Sequence, residues 1–148
     1  FHADCTPILV YCKDQKIVCA IHSGWLGTVR QIVDHTIRYL IEKENCNPKE
    51  MYCLIGPCLS KKHLEVQDDV INQVKKMNFD TSPCYQKTDE THYLLDNKGL
   101  NKQQLLNLGV LEENIQVSSY CTNENNDLFF SHRVNHDGQR NVTIIKRK

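Results

Sequence analysis

Two apolar runs stand at the start of the chain, residues 7–11 and 16–22, with the polar stretch Lys13-Asp14-Gln15 between them. Runs this short and rich in Val and Ile, joined by so tight a turn, predict an antiparallel hairpin of largely buried strands. A turn centred near Asp14 would bring residues 5 and 22 together at the open end of that hairpin. Ser23-Gly24 then breaks the pattern. From there Trp25, Leu26, Val29, Ile32, Val33, Ile37, Leu40 and Ile41 fall at helical spacing, which predicts one helix of about four turns.

Residues 51–55 predict a third buried strand, stopped by Gly56-Pro57. Glu65-Val66 suggests a short strand, and 68–77 a modest helix. Residues 78–91, polar and carrying Pro83, predict a loop. Tyr93-Leu94-Leu95 reads as a strand. Asn97 is a plausible N-cap for a helix over 98–108, with Gly109 placed for a left-handed C-terminal residue. Residues 115–118 and 141–145 complete the predicted strands. Helices and strands interleave without strict βαβ alternation, so the fold class is α/β or α+β, a mixed β-sheet flanked by helices.

Composition narrows the function. Lys+Arg and Asp+Glu both number 18, giving zero formal net charge. That balance argues against nucleic acid as a partner. No apolar run approaches the roughly 20 residues of a membrane helix. Cysteines at 5, 12, 19, 46, 53, 58, 84 and 121 show no C-x-x-C spacing. Several lie inside apolar stretches, which points to free thiols in a reducing cytoplasm. The chain opens Phe1-His2-Ala3-Asp4-Cys5 without an initiator Met, and the expectation is one domain over 1–148 that belongs to a longer protein.

Three groups of residues are able to do chemistry. Cys5, just before the first strand, and His22, at the end of the second, make either two ligands of a zinc ion or a cysteine–histidine nucleophilic pair. A buried thiol and a satisfied core histidine are the plain alternative. Gly24 sits at a strand-to-helix turn whose amides suit an anion, or form an ordinary turn. Arg133 and Arg140 flank a turn with His132 and His136; guanidinium pairs well with phosphate oxygens, though a solvated turn has the same composition. His35, His63 and His92 have no partner pattern and read as structural or surface residues.

Taken in order, Ala3-Asp4-Cys5-Thr6-Pro7-Ile8, His22-Ser23-Gly24-Trp25-Leu26-Gly27, Ile55-Gly56-Pro57, Glu65-Val66, Cys121-Thr122 and Phe129-Phe130-Ser131-His132-Arg133, followed by Gly138 and Arg140, resemble the laccase-domain (YfiH/YlmD-type) family. The family is also known as polyphenol oxidases and as purine nucleoside phosphorylases. The resemblance spans essentially the whole chain, read as the C-terminal part of a family member. It implies a CNF-toxin/YfiH-like, cysteine-hydrolase-type fold. It also implies one zinc ion per chain, held by Cys5, His22 and a histidine of a Q-V-H motif in an N-terminal part that is not in this chain. The implied partners are a purine nucleoside (adenosine, inosine, guanosine or methylthioadenosine) and inorganic phosphate, with adenosine deamination as a further activity.

Asp4 would serve beside the zinc as an acid–base or supporting group, or as a turn cap. Gly24, Arg133 and Arg140 would orient phosphate. Two positions depart from the family pattern: Leu26 stands where H-A-G-W-R-G has Arg, and Val134 where F-S-x-R-R has its second Arg. Fewer cations then face phosphate. Three other readings remain: a copper polyphenol oxidase, which needs clustered histidines; a Cys–His hydrolase or amidase acting on cell-wall precursors; and a non-catalytic zinc-binding module.

Overall fold

The computed structural model describes residues 1–147. Its hairpin pairs β1 (Thr6–Cys12) with β2 (Ile17–Ser23), Thr6 facing Ser23 and Cys12 facing Ile17. On the other side β1 pairs antiparallel with β3 (Met51–Ile55), and β3 pairs parallel with β7 (Ile115–Val117), giving the order β2-β1-β3-β7. A second, antiparallel sheet has the order β4-β6-β5, from β4 (Glu65–Gln67), β5 (Tyr85–Lys87) and β6 (His92–Leu95). Strands and helices are thus mixed, as the patterning predicts.

The two-residue period of a strand decides which face of the larger sheet is buried. Ile8, Val10 and Cys12 on β1 and Met51, Cys53 and Ile55 on β3 are buried, while Leu9, Tyr11 and Tyr52 face the other way and stay partly or fully exposed. The buried set packs on α2 (Ile32–Glu42) through Val33, Ile37 and Leu40, and on α4 (Asn97–Asn107) through Leu105. A second core lies under the smaller sheet, where α3 (Asp68–Val74) sets Val70, Ile71 and Val74 against Tyr93, Leu95 and Leu100. Helix α4 serves both cores, Leu100 in one and Leu105 in the other.

The structure departs from the sequence reading at several places. The single helix expected after Gly24 is two, α1 (Trp25–Val29) and α2, split at Gln31, whose φ of 56° is left-handed. Gln104 on α4 satisfies both ends of the break: its Nε2 donates to the Thr28 carbonyl (3.2 Å) and its Oε1 accepts from the Asp34 amide (3.1 Å). Gln104 lies 76 positions from Thr28 and 70 from Asp34, so local spacing cannot reveal its role, and hydrophobic periodicity runs through a real interruption.

Part of the expected 78–91 loop is strand β5, recruited by pairing with β6 rather than by its own polar sequence. The α4 cap is Asp96, whose side chain accepts from the Gly99 amide at 2.9 Å, with Asn97 already inside the helix. Gly109 is left-handed as expected (φ 87°). The strand expected over 141–145 is reduced to one bridge between Asn141 and His2, because the residues after it find no neighbouring strand to pair with. No helix among the described residues is long and apolar enough to cross a membrane.

Candidate metal centre

The hairpin register sets the first candidate centre. Pro7 pairs with His22 and Thr6 with Ser23. The turn therefore centres half a residue to one residue later than expected, and Cys5 lies beside Gly24 rather than across from His22. Diagonal neighbours two residues apart on adjacent strands still reach one another with long side chains. Ser23 and Thr6 point into the core and are fully buried; His22 points out and is exposed. The Cys5 sulfur occupies the space that a side chain on Gly24 would need, since a Cβ built there would stand 3.0 Å from it.

Burial raises the Cys5 thiol pKa, the neighbouring Asp4 carboxylate raises it further, and Arg140 opposes both. The His22 Nδ1 lies 3.1 Å from the Phe1 carbonyl oxygen. His2, close by, is buried: its Nε2 meets the Thr143 hydroxyl at 2.7 Å and its Nδ1 has no protein partner. Burial above all pushes its pKa down to about 4, so the ring is neutral near pH 7.

Asp4 adopts a left-handed φ of 75° and commits both carboxylate oxygens. Oδ1 accepts from the Thr122 hydroxyl (2.7 Å) and Oδ2 from the Arg133 amide (2.9 Å). The short helix α5 (His132–Asn135) thereby starts against the loop that presents Cys5. Cys5, Asp4, Gly24, Trp25, Asn97 and Arg133 line one cavity of about 210 Å³. His22 lines a neighbouring depression with His2 and Pro7, and Arg140 a third with His2 and Phe130. Of the two arginines singled out in the sequence, Arg133 stands at the Cys5 cavity, with its Nη2 donating to the Glu65 carbonyl at 3.3 Å. Arg140 bonds the Gln139 carbonyl and reaches Cys5 only through its field.

What holds this corner is a polar network that hydrophobic patterning misses. Asn97, Asn101 and Gln104 recur at i, i+4 and i+7 on α4 and are all buried. Asn97 Nδ2 donates to the Thr6 hydroxyl (2.9 Å) and the Ser23 carbonyl (3.0 Å). The Ser23 hydroxyl donates to Asn101 Oδ1 (2.8 Å) and lies 2.8 Å from the Thr28 hydroxyl, which donates to the Gly24 carbonyl (3.0 Å). The signal was available as a helical stripe of amides. Without a partner in view it reads as a solvated face.

A second grouping was also missed. The ligand atoms of His63, Cys121 and Glu124 lie within 4.8 Å of one another, and among the described residues this is the one set of three or more such side chains so placed that a metal ion fits. Burial opposes the Cys121 thiolate, but hydrogen bonds from Ser60 and from the Glu124 and Asn123 amides outweigh it, so its pKa falls below the ordinary value. His63 carried no motif, and 58 residues separate it from Cys121; only the fold joins them.

The fold is a mixed α+β domain of the kind found in solved YfiH and YlmD structures. The family model described as multi-copper polyphenol oxidoreductase laccase matches residues 1–148, and the chain belongs to that family. Purine nucleoside phosphorylase YlmD of Bacillus subtilis strain 168 is 37% identical over 131 residues, which are 88% of this chain and 47% of that protein. A purine nucleoside phosphorylase of Staphylococcus epidermidis ATCC 12228 is 33% identical over 149 residues, 99% of this chain and 54% of its own length. Among solved structures, the Bacillus licheniformis hypothetical protein YfiH superposes with a TM-score of 0.87 at 32% identity, covering 89% of this chain and 50% of that one. YlmD from Geobacillus stearothermophilus gives 0.85 at 34% identity, covering 89% and 49%. The chain thus spans about half the length of the relatives it matches.

Proposed function

We propose that the chain is the metal-bearing part of a zinc-dependent purine nucleoside phosphorylase, acting in the cytoplasm. It would use inorganic phosphate to cleave adenosine, inosine, guanosine or methylthioadenosine, and would also deaminate adenosine. The observation that carries this reading is the Cys5 sulfur seated against Gly24, with His22 two positions along the partner strand and Arg133 in the wall of the same cavity. The names of the relatives support it.

A thiolate and an imidazole are a donor pair that suits zinc, which when bound supplies Lewis-acid polarisation and lowers the pKa of bound water. Cys5 and His22 would hold it, with a third ligand from the Q-V-H histidine of the family pattern. The chain's own residues do the remaining work. Asp4, with both oxygens engaged, fixes the bend that aims Cys5 and so acts by positioning. Arg133 offers the cation for phosphate at the cavity wall, and Arg140 adds a more distant positive field. Trp25, Leu59 and Leu64 give the cavity apolar surface on which a purine ring can lie and from which water is displaced. With Leu26 and Val134 in place of two family arginines, Arg133 carries more of the phosphate binding than in a typical relative.

Phosphate-dependent release of hypoxanthine from inosine by zinc-loaded full-length protein, abolished in Cys5→Ala and in His22→Ala, is the expected result. Turnover that survives chelation yet stops on thiol alkylation would replace this reading with the cysteine hydrolase. Oxygen consumption with stoichiometric copper would replace it with the oxidase, and tight nucleoside binding without turnover with the binding module.

A further inference from the structure

The second grouping has the composition of a metal site in its own right. We propose that His63, Cys121 and Glu124 bind a zinc-class divalent cation that braces the loop carrying Asp4, independently of any ion at Cys5. The donors are one imidazole, one thiol and one carboxylate. Two anionic donors and a neutral one balance a divalent charge, and the sulfur–nitrogen pair selects zinc over magnesium or calcium.

The distances are close to what the ion needs. Tetrahedral bonds of about 2.0 Å to nitrogen or oxygen and about 2.3 Å to sulfur set the ligand atoms roughly 3.3–3.6 Å apart. His63 Nε2 already stands 2.9 Å from Glu124 Oε1, and no pair exceeds 4.8 Å. Closure asks for about 1 Å of movement from two side chains at the surface, toward a sulfur that is itself buried.

Ser60 ties the arrangement together. Its amide donates to the Cys121 sulfur at 3.3 Å, the kind of hydrogen bond that steadies a metal-bound thiolate. Its carbonyl accepts from the His63 amide at 3.0 Å, so one residue fixes both ligands. Its hydroxyl oxygen is buried without a hydrogen-bond partner, a polar atom that a bound ion's surroundings can use. The competing arrangement is an ordinary surface ion pair, Lys62 to Glu124 at 3.2 Å. With the lysine side chain 75% exposed, that pair holds the carboxylate weakly and yields it readily.

Location gives the ion its role. Besides the Arg133 amide, two segments grip Asp4: the Leu59 amide donates to its carbonyl (3.1 Å) and the Thr122 hydroxyl to its carboxylate (2.7 Å). Leu59 neighbours Ser60, and Thr122 neighbours Cys121. An ion shared by His63 and Cys121 therefore clamps together two of the three segments that hold Asp4.

The test uses cobalt(II), followed by its thiolate charge-transfer absorption, and zinc competition. In the Cys5→Ser/His22→Ala protein, one cobalt per chain with a thiolate band is expected, lost on adding Cys121→Ser. Glu124→Gln, at an exposed position that does not threaten folding, is expected to weaken binding at least tenfold, and bound zinc to raise the thermal midpoint. Absence of bound cobalt in the double variant overturns the proposal. So does binding that is indifferent to both Cys121→Ser and Glu124→Gln.

Discussion

The Cys5 corner and the Cys121 corner both present a thiol, yet they are built from different materials. At Cys5, beyond the Asp4 carboxylate, the scaffold consists of neutral side chains: Asn97, Asn101, Ser23 and Thr28 exchange hydrogen bonds in a space closed to solvent. At Cys121 the sulfur is held by backbone amides, and the remaining donors are charged or titratable groups at the surface. The first arrangement fixes geometry through desolvated groups that have no alternative partner, so each is costly to remove. The second leaves its outer ligands free to rearrange, which favours an ion able to recruit them. One corner is rigid before anything binds, and the other becomes rigid on binding.

The largest effect should follow from breaking the rigid corner. Asn101→Leu removes the acceptor of the Ser23 hydroxyl and a donor to the Thr28 hydroxyl and the Asn97 carbonyl. Leaving buried polar groups without partners costs about 1–3 kcal/mol each, so a total near 3 kcal/mol is expected in urea unfolding. A loss below about 1 kcal/mol would show that the network is slack or that water replaces the amide. The contrast between the corners would then fail. Cys121→Ser serves as the counterpart, because a hydroxyl can still accept the Ser60 amide; its stability loss should be clearly smaller than that of Asn101→Leu.

An intermediate effect is expected at Gly24. Gly24→Ala places a Cβ 3.0 Å from the Cys5 sulfur while leaving the backbone in an extended conformation that alanine adopts freely. The thiol must move by a few tenths of an ångström or turn away. Zinc affinity at Cys5 should fall about tenfold, equivalent to about 1.4 kcal/mol. The cobalt signal at Cys121 should stay unchanged. Equal loss at both corners would mean that they do not behave as separate sites.

How much of this was legible in the sequence differs between the two corners for a physical reason. Strands β1–β3 announce themselves because alternate residues are apolar, and a period of two needs only a few residues to register. That Cys5 and His22 fall near the open end of the first hairpin was legible because they flank or end those strands, although counting from Asp14 misjudged the register that sets Cys5 beside Gly24. The helix break at Gln31 was hidden, since Gln104 supplies the missing hydrogen bonds from far along the chain. The buried amide stripe on α4 gives no local sign of its burial, because polarity alone does not say which way a helix turns. His63 and Cys121 could not be paired at all: their proximity depends on the parallel bridge between Cys58 and Cys121, a long-range contact with no local periodicity to betray it.

The smallest effect on stability, and the sharpest on the comparison, concerns Lys62. Its ammonium competes for the same Glu124 oxygen that would ligate an ion. Lys62→Met removes an exposed pair, so the stability change should be within about 0.5 kcal/mol. Metal binding at Cys121 should strengthen, because Glu124 no longer has to leave a cation in order to coordinate one. Salt should mimic the substitution in part, screening the lysine and reducing its advantage in the unsubstituted protein. If Lys62→Met leaves cobalt affinity at Cys121 unchanged in low salt, Glu124 is not a ligand, and the loosely built corner is an ion-pair cluster around a buried thiol.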